Sequence, residues 1–188
     1  YALDMAARVA ALNPARVLET AAGTGVVTRA LARALPGAVE IVATDLNAPM
    51  LARAEAIGTA RPVQWQTADA QQLPFEAAAF DAVVCQFGAM FFPDRPGAYA
   101  QVRRVLRPGG SFLFSVWDRI EHNEIADIVT QALAALYPDD PPRFMARTPH
   151  GYHDVQTIAR DLRGGGFAEA TIETVAERSR AVSASVPA

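Results

Sequence analysis

The stretch Val17-Leu18-Glu19-Thr20-Ala21-Ala22-Gly23-Thr24-Gly25 decides the fold. Its apolar start reads as a short strand, Arg16 to Glu19. Behind the glycines, Val26, Val27, Ala30, Leu31, Ala34 and Leu35 follow a helical stripe that Pro36-Gly37 ends. A strand that turns through glycines into a helix places the turn at the carboxyl edge of a parallel sheet, where open α/β sheets bind ligands. Gly23 and Gly25 permit backbone angles and a close approach that a β-carbon would block. Asp45 stands twenty residues beyond Gly25, at the end of a second apolar run. A carboxylate there accepts hydrogen bonds from both ribose hydroxyls of a nucleoside. The spacing predicts an adenosine-type cofactor without choosing one.

Outward from this stretch, apolar β-rich runs alternate with helix-period segments, which predicts an α/β protein with a mostly parallel sheet. Helices are expected over Leu3–Leu12, Ala48–Ile57, Asp94–Leu106, Glu121–Leu136 and Asp154–Leu162. Strands are expected over Val39–Thr44, Val63–Gln66, Phe80–Gln86, Ser111–Trp117 and Phe167–Val175, with Arg107–Gly110 as a turn. The continuous apolar run Phe80–Gln86 fits a strand buried on both faces. Residues 137–152, with four prolines and no periodicity, read as an ordered loop or a lid. One domain over 1–188 is the economical organisation.

Composition narrows the function classes. The chain has 188 residues, 51% hydrophobic and 20% charged, with a net charge of −3. That is an ordinary globular balance without the basic excess of a nucleic-acid binder. No apolar run approaches the roughly 20 residues of a membrane span. One cysteine, Cys85, and three histidines make no metal-ligand cluster. A cytoplasmic location and no metal are the expectations; the oligomeric state stays open. The chain begins at Tyr1 and finishes in the small, polar stretch Ser183–Ala188, so segments beyond both ends are expected.

Two details weigh against a nicotinamide dinucleotide. Thr28 stands where the dinucleotide fingerprint wants a third glycine. Glu19 ends the first strand where a pyrophosphate would lie, and a carboxylate there repels phosphate but attracts an ammonium or sulfonium group.

The same stretch resembles motif I of class I S-adenosylmethionine-dependent methyltransferases, an acidic residue followed by three alternating glycines. Glu19 matches the acidic position, Gly23 and Gly25 match the second and third glycines, and Ala21 replaces the first, where a negative φ is expected. Further stretches resemble the family's other motifs in order. These are Ala43–Asn47 with Met50-Leu51, Thr67–Ala70 with Leu73-Pro74-Phe75, Phe80–Val84, and Arg104–Gly110. The resemblance runs over about residues 1–175 and is greatest to the ubiquinone/menaquinone-biosynthesis-like branch that acts on small molecules. It implies a Rossmann-like doubly wound sheet with helices on both faces, and a final antiparallel strand missing from this chain, since nothing after Arg180 can supply it.

The resemblance also implies roles. S-adenosylmethionine would be the cofactor and S-adenosylhomocysteine its product. Glu19 would organise the loop and the amino group of the methionine moiety, with the backbone of Thr20, Ala21, Ala22, Gly23 and Gly25 beneath that moiety. Asp45 would bind the ribose, with Leu46 and Met50 flanking the adenine. Asp69 would accept from the adenine amine, and Ala70 would offer a backbone amide. Gln86 and Phe87 would complete the cofactor floor. Transfer from a sulfonium needs positioning in line rather than an obligatory nucleophile, so no catalytic side chain is assigned. The acceptor is expected to be a small molecule, because the Asp/Asn-Pro-Pro-aromatic signature of nucleobase and glutamine methylation is absent after strand four.

Other residues stay divided between readings. Met90 and Phe91, with Phe92, are either core or a substrate wall, and Trp117, Phe144 and Met145 are candidate substrate contacts. Asp81 is read as a brace, Cys85 as a small core residue, and Arg103 and Arg104 as a solvated face. His122, His150 and His153 are ordinary histidines, any of which could serve as a base. Two alternatives stay in view: an NAD(P)-dependent reductase on a Rossmann fold, and a non-catalytic S-adenosylmethionine-binding regulatory module.

Overall fold

A computed structural model describes residues 1–177. The elements run α1 (Ala2–Ala11), β1 (Arg16–Glu19), α2 (Val26–Ala34), β2 (Glu40–Asp45), α3 (Ala48–Ile57), β3 (Gln64–Thr67) and β4 (Phe80–Gln86). They continue with α4 (Arg95–Val105), β5 (Leu106–Ser115), α5 (Glu124–Leu136), α6 (Phe144–Arg147) and α7 (Val155–Gly164). The five strands form one parallel sheet in the order β3-β2-β1-β4-β5. The chain reaches one edge with β3 and then restarts at β4 beside β1. The strand order therefore reverses between β1 and β4, and a crevice opens above their carboxyl ends.

Alternation along the strands builds the two faces. Val17, Ile41, Ala82 and Val84 pack against Met5, Ala6 and Val9 of α1 and Val27, Ala30 and Leu31 of α2. Leu18, Val42 and Val83 face the other way, against Val102 and Val105 of α4. Beyond them, Cys85 and Tyr99 pack with Tyr152, Ile158 and Leu162, which brings α7 onto the same face. Helices are capped as their sequences suggest: Asn47 and Asp94 accept from the backbone N–H groups of Met50 and Gly97 with proline in the first turn, and Asp154 accepts from Thr157. Asp81 is the expected brace. Its carboxylate accepts from the amides of Ala15 and Arg16 and pairs with Arg107 at 2.8 Å, which holds it below the usual carboxylate range despite the opposing effect of burial.

The structure departs from the sequence reading in four places. Arg107–Gly110 is not a turn ahead of β5 but lies inside it, as a bulge: Phe80 pairs with Leu106 and Ala82 with Ser111. Consequently β5 starts five residues early; it also ends at Ser115, paired with Gln86, so Trp117 lies past the strand and does not end it. The 137–152 segment is not wholly a loop, because Phe144–Arg147 forms a helical turn. Residues 168–177 form no strand, so the expected Phe167–Val175 strand is absent. The gatherings of β-branched residues there have no neighbour to pair with among the described residues. Arg180 and Ser183–Ala188 lie outside the described residues. Among the described residues no helix is long and apolar enough to cross a membrane.

Candidate functional site

The loop from β1 to α2 turns by alternation of backbone hand. Ala21, Gly23 and Gly25 have φ of 52°, 56° and 78°. All three alternating positions are therefore left-handed, and the negative φ expected at Ala21 is wrong. Alanine in that region costs roughly 1–2 kcal/mol. Its methyl group fits because residue 88 is glycine: a β-carbon at Gly88 would lie 2.5 Å from that of Ala21. At Gly25 the limit is packing as well as φ, since an added β-carbon would meet Ala54, Arg29 and Trp65 at 3.0–3.1 Å. At Gly23 the space is open, with only Met50 Cε at 3.8 Å.

Backbone hydrogen bonds fix this loop to its neighbours. Thr20 N–H donates to the Val84 carbonyl, and Ala22 N–H to that of Thr44. The Asp45 carboxylate accepts from Gly23 N–H at 2.7 Å and from Asn47 N–H at 2.8 Å. Leu46 and Met50 beside it are exposed, while Ala70 is buried. Asp69 accepts from Gln71 N–H, a local turn bond at 2.8 Å.

Glu19 is buried beneath the loop, 2% exposed, and accepts from the Thr28 hydroxyl at 2.6 Å. The residue that spoils a dinucleotide fingerprint is thus the partner of the acidic one. Burial pushes the Glu19 carboxyl up to about 8, against the opposing pull of the Thr28 bond and Arg29. Cys85, also buried, is raised to about 11 by the same desolvation.

On the other side of the crevice, Phe87 (φ 54°) stacks on Trp117 with centroids 3.9 Å apart, and the Tyr1 ring meets both edge-on. Met90 is buried with the α4–α7 core and Phe91 is exposed, so Met90 is core. Phe144 and Met145 sit exposed on α6, which packs beside α5. Gln86 Oε1 and Ser115 Oγ are buried without a partner among the described residues, on cross-strand neighbours of β4 and β5. Sequence reasoning missed Tyr1, Gly88 and Ser115. Ser115 was findable, since it lies in the expected strand Ser111–Trp117 two residues before Trp117.

The residues present fit an S-adenosylmethionine-type ligand. Gly23 leaves open space that a β-carbon would narrow, an acidic group lies beneath, and unpaired polar atoms mark the β4 side. No group of three or more potential metal ligands is found among the described residues.

Comparison with known proteins agrees. Residues 18–114 match the family described as "Methyltransferase domain". Demethylmenaquinone methyltransferase of Thermus thermophilus is 43% identical over 111 residues, covering 58% of this chain and 49% of that protein. Ubiquinone/menaquinone biosynthesis C-methyltransferase UbiE of Teredinibacter turnerae is 30% identical over 167 residues, covering 82% of this chain and 67% of that protein. A solved Bacillus halodurans structure superimposes with a TM-score of 0.64 at 26% identity, over 87% of this chain and 68% of that one. The chain thus spans about half the length of the first of these relatives and two thirds of the second. The chain belongs to the S-adenosylmethionine-dependent methyltransferase family.

Proposed function

We propose that this protein transfers a methyl group from S-adenosylmethionine to a small hydroxyaromatic acceptor of the prenylated quinol kind, as the names of the relatives suggest. The observation that carries the reading is the left-handed triplet Ala21, Gly23 and Gly25 with Asp45 on the Gly23 amide, at the point where the strand order reverses. The cofactor supplies an electrophilic methyl group on a sulfonium, open to in-line displacement.

The chain's own residues bind and orient. A carboxylate offers about four lone-pair sites, so Asp45, with two amides bound, retains capacity for the two ribose hydroxyls. Leu46 and Met50 present exposed apolar surface for the adenine, with Asp69 and Ala70 at its polar edge. Glu19 beneath the loop provides the carboxylate for the amino group, and Gln86 offers an unpaired carbonyl on the methionine side. With a nucleoside held over β2 and β3, the transferable methyl group would lie toward the β4–β5 side, where Phe87 and Trp117 form an apolar wall that excludes water. Phe144 and Met145 on α6 serve acceptor selection.

The test is incubation with S-adenosylmethionine and a geranylated 1,4-naphthohydroquinone kept reduced. A mass gain of one methyl with equimolar S-adenosylhomocysteine is expected. Cofactor binding with no methylated product would contradict the acceptor class, and no cofactor binding would contradict the reading as a whole.

A further inference from the structure

The segment after α6 folds back onto Trp117 through one histidine. The His150 ring is 4% exposed, lies 6.0 Å from the Trp117 ring, and places Nδ1 at 2.9 Å from the Asp118 carbonyl oxygen. A carbonyl only accepts, so Nδ1 carries a proton, and the tautomer this selects has its lone pair on Nε2. Nε2 makes no hydrogen bond among the described residues and, not being one of the buried unpaired atoms, keeps some solvent-accessible surface. The segment is itself tied down, since His153 Nδ1 bonds the His150 carbonyl at 2.8 Å. A buried imidazole with a fixed tautomer and an unused lone pair is thus held at the acceptor end of the sheet. The two unpaired buried oxygens of Gln86 and Ser115 lie on the same edge. Buried polar groups are nearly always satisfied, so these two oxygens call for a water or a polar ligand group as partner.

We propose that His150 is the proton acceptor of the reaction, taking the proton of a hydroxyl on the acceptor's aromatic ring through Nε2, while Gln86 and Ser115 hold the acceptor's polar substituents. The proposal rests on the methyl-transfer reading. The acceptor O–H bond breaks toward Nε2, and the electron pair left behind, on oxygen or delocalised to a ring carbon, forms the new bond to the methyl carbon. The carbon–sulfur pair leaves with sulfur as a neutral thioether, and the imidazolium returns its proton to water. After attack through a ring carbon, the hydrogen on that carbon is lost as the ring regains aromaticity, also to water.

The bland alternative is that His150 only pins the segment to the Asp118 carbonyl. His150→Asn separates the two, because the shorter amide keeps a donor for that carbonyl and removes the base. The probe is the geranylated 1,4-naphthohydroquinone, with S-adenosylhomocysteine for binding and S-adenosylmethionine for turnover. Expected for the wild type are imidazole nitrogen resonances of the Nδ1–H tautomer, with Nε2 shifting when the quinol joins the S-adenosylhomocysteine complex. The Asn variant is expected to keep its melting point and its S-adenosylhomocysteine affinity within about two-fold, and to lose about 10²–10⁴-fold in kcat with little change in KM. An Nε2–H tautomer, no shift with quinol, a kcat within about three-fold of wild type, or a lower kcat accompanied by lost stability overturns the proposal. Wild-type protein that binds S-adenosylhomocysteine but neither methylates nor responds to the quinol overturns it too, and leaves the methyl-transfer reading standing. Failure to bind S-adenosylhomocysteine at all strikes that reading instead.

Discussion

Over β1, β2 and β3 the loops are tied down mainly through their backbone N–H groups, whereas over β4 and β5 one such bond, from Phe87 N–H to the Ser115 carbonyl, is joined by side chains that finish the edge. On the first side Thr20, Ala22 and Gly23 each donate to a neighbouring strand or its terminal carboxylate. On the second side stand an aromatic stack, two unpaired oxygens and a histidine tied to a carbonyl. Backbone-built geometry restricts which residues can occupy it, and side-chain-built geometry can be exchanged without moving a strand. The first half is therefore suited to an invariant cofactor and the second to a variable acceptor.

The strongest way to break this contrast is to put a β-carbon on the backbone-built side. Gly25→Ala combines a left-handed φ with contacts at 3.0–3.1 Å. A loss of about 2–4 kcal/mol in urea unfolding is expected, from strain and overpacking together. A loss below about 0.5 kcal/mol would show that the loop yields and is not preorganised.

Next in size is Asp45→Ala, expected to weaken S-adenosylhomocysteine binding by about 1–3 kcal/mol in calorimetry. Trp117→Ala, and Phe144→Ala with Met145→Ala, should leave that affinity within about two-fold and change acceptor KM instead. Equal losses of cofactor and acceptor affinity from both sets would erase the division.

A pH experiment sharpens the cofactor side further. The Glu19 carboxyl sits at about 8 in the folded protein, mainly through burial, well above its unfolded value. Between those values the native state binds more protons than the unfolded one, so this group's contribution favours folding at low pH and is lost as pH rises through about 8. Glu19→Gln should flatten that part of the urea-midpoint profile between about pH 5.5 and 8.5. A cationic amino group bound above Glu19 favours the carboxylate, so cofactor binding should release a proton on the acid side of this range. An unchanged profile in Glu19→Gln would show that the residue does not titrate there.

The smallest effect is expected at Ala21. Ala21→Gly relieves the left-handed strain, loosens the unfolded chain and loses a methyl contact, so stability should change by less than about 1 kcal/mol. Gly88→Ala alone should cost about 1–3 kcal/mol by collision with the Ala21 methyl and Cys85. The double variant should recover part of that in a mutant cycle. Strict additivity would mean the two positions do not compensate.

Legibility followed the same division. The bounds of α3 and β4 were readable to the residue, because an Asn cap with proline and an uninterrupted apolar run are local signals. Asp45 was marked by its interval from the glycines, and Glu19 and the glycines by their likeness to motif I, since the backbone path dictates the interval. The hand of Ala21 was not readable, because the glycine that makes room for its methyl lies on a different loop. Arg107–Gly110 has the composition of a turn, yet the pairing of its flanks with Phe80 and Ala82 absorbs it into β5 as a bulge. Trp117 lies past the strand end because the pairing of β5 with β4 stops at Gln86 and Ser115. His150 and Ser115 acquire meaning only through what they fail to contact, which no local pattern encodes.

The most direct measurement is calorimetry of the wild-type protein with S-adenosylhomocysteine and, separately, with NADPH. Saturable one-to-one binding of S-adenosylhomocysteine, weakened about five-fold or more in Asp45→Ala, with no heat from NADPH, is the expected result. Saturable binding of NADPH with none of S-adenosylhomocysteine would contradict the assignment of this edge to a sulfonium nucleoside.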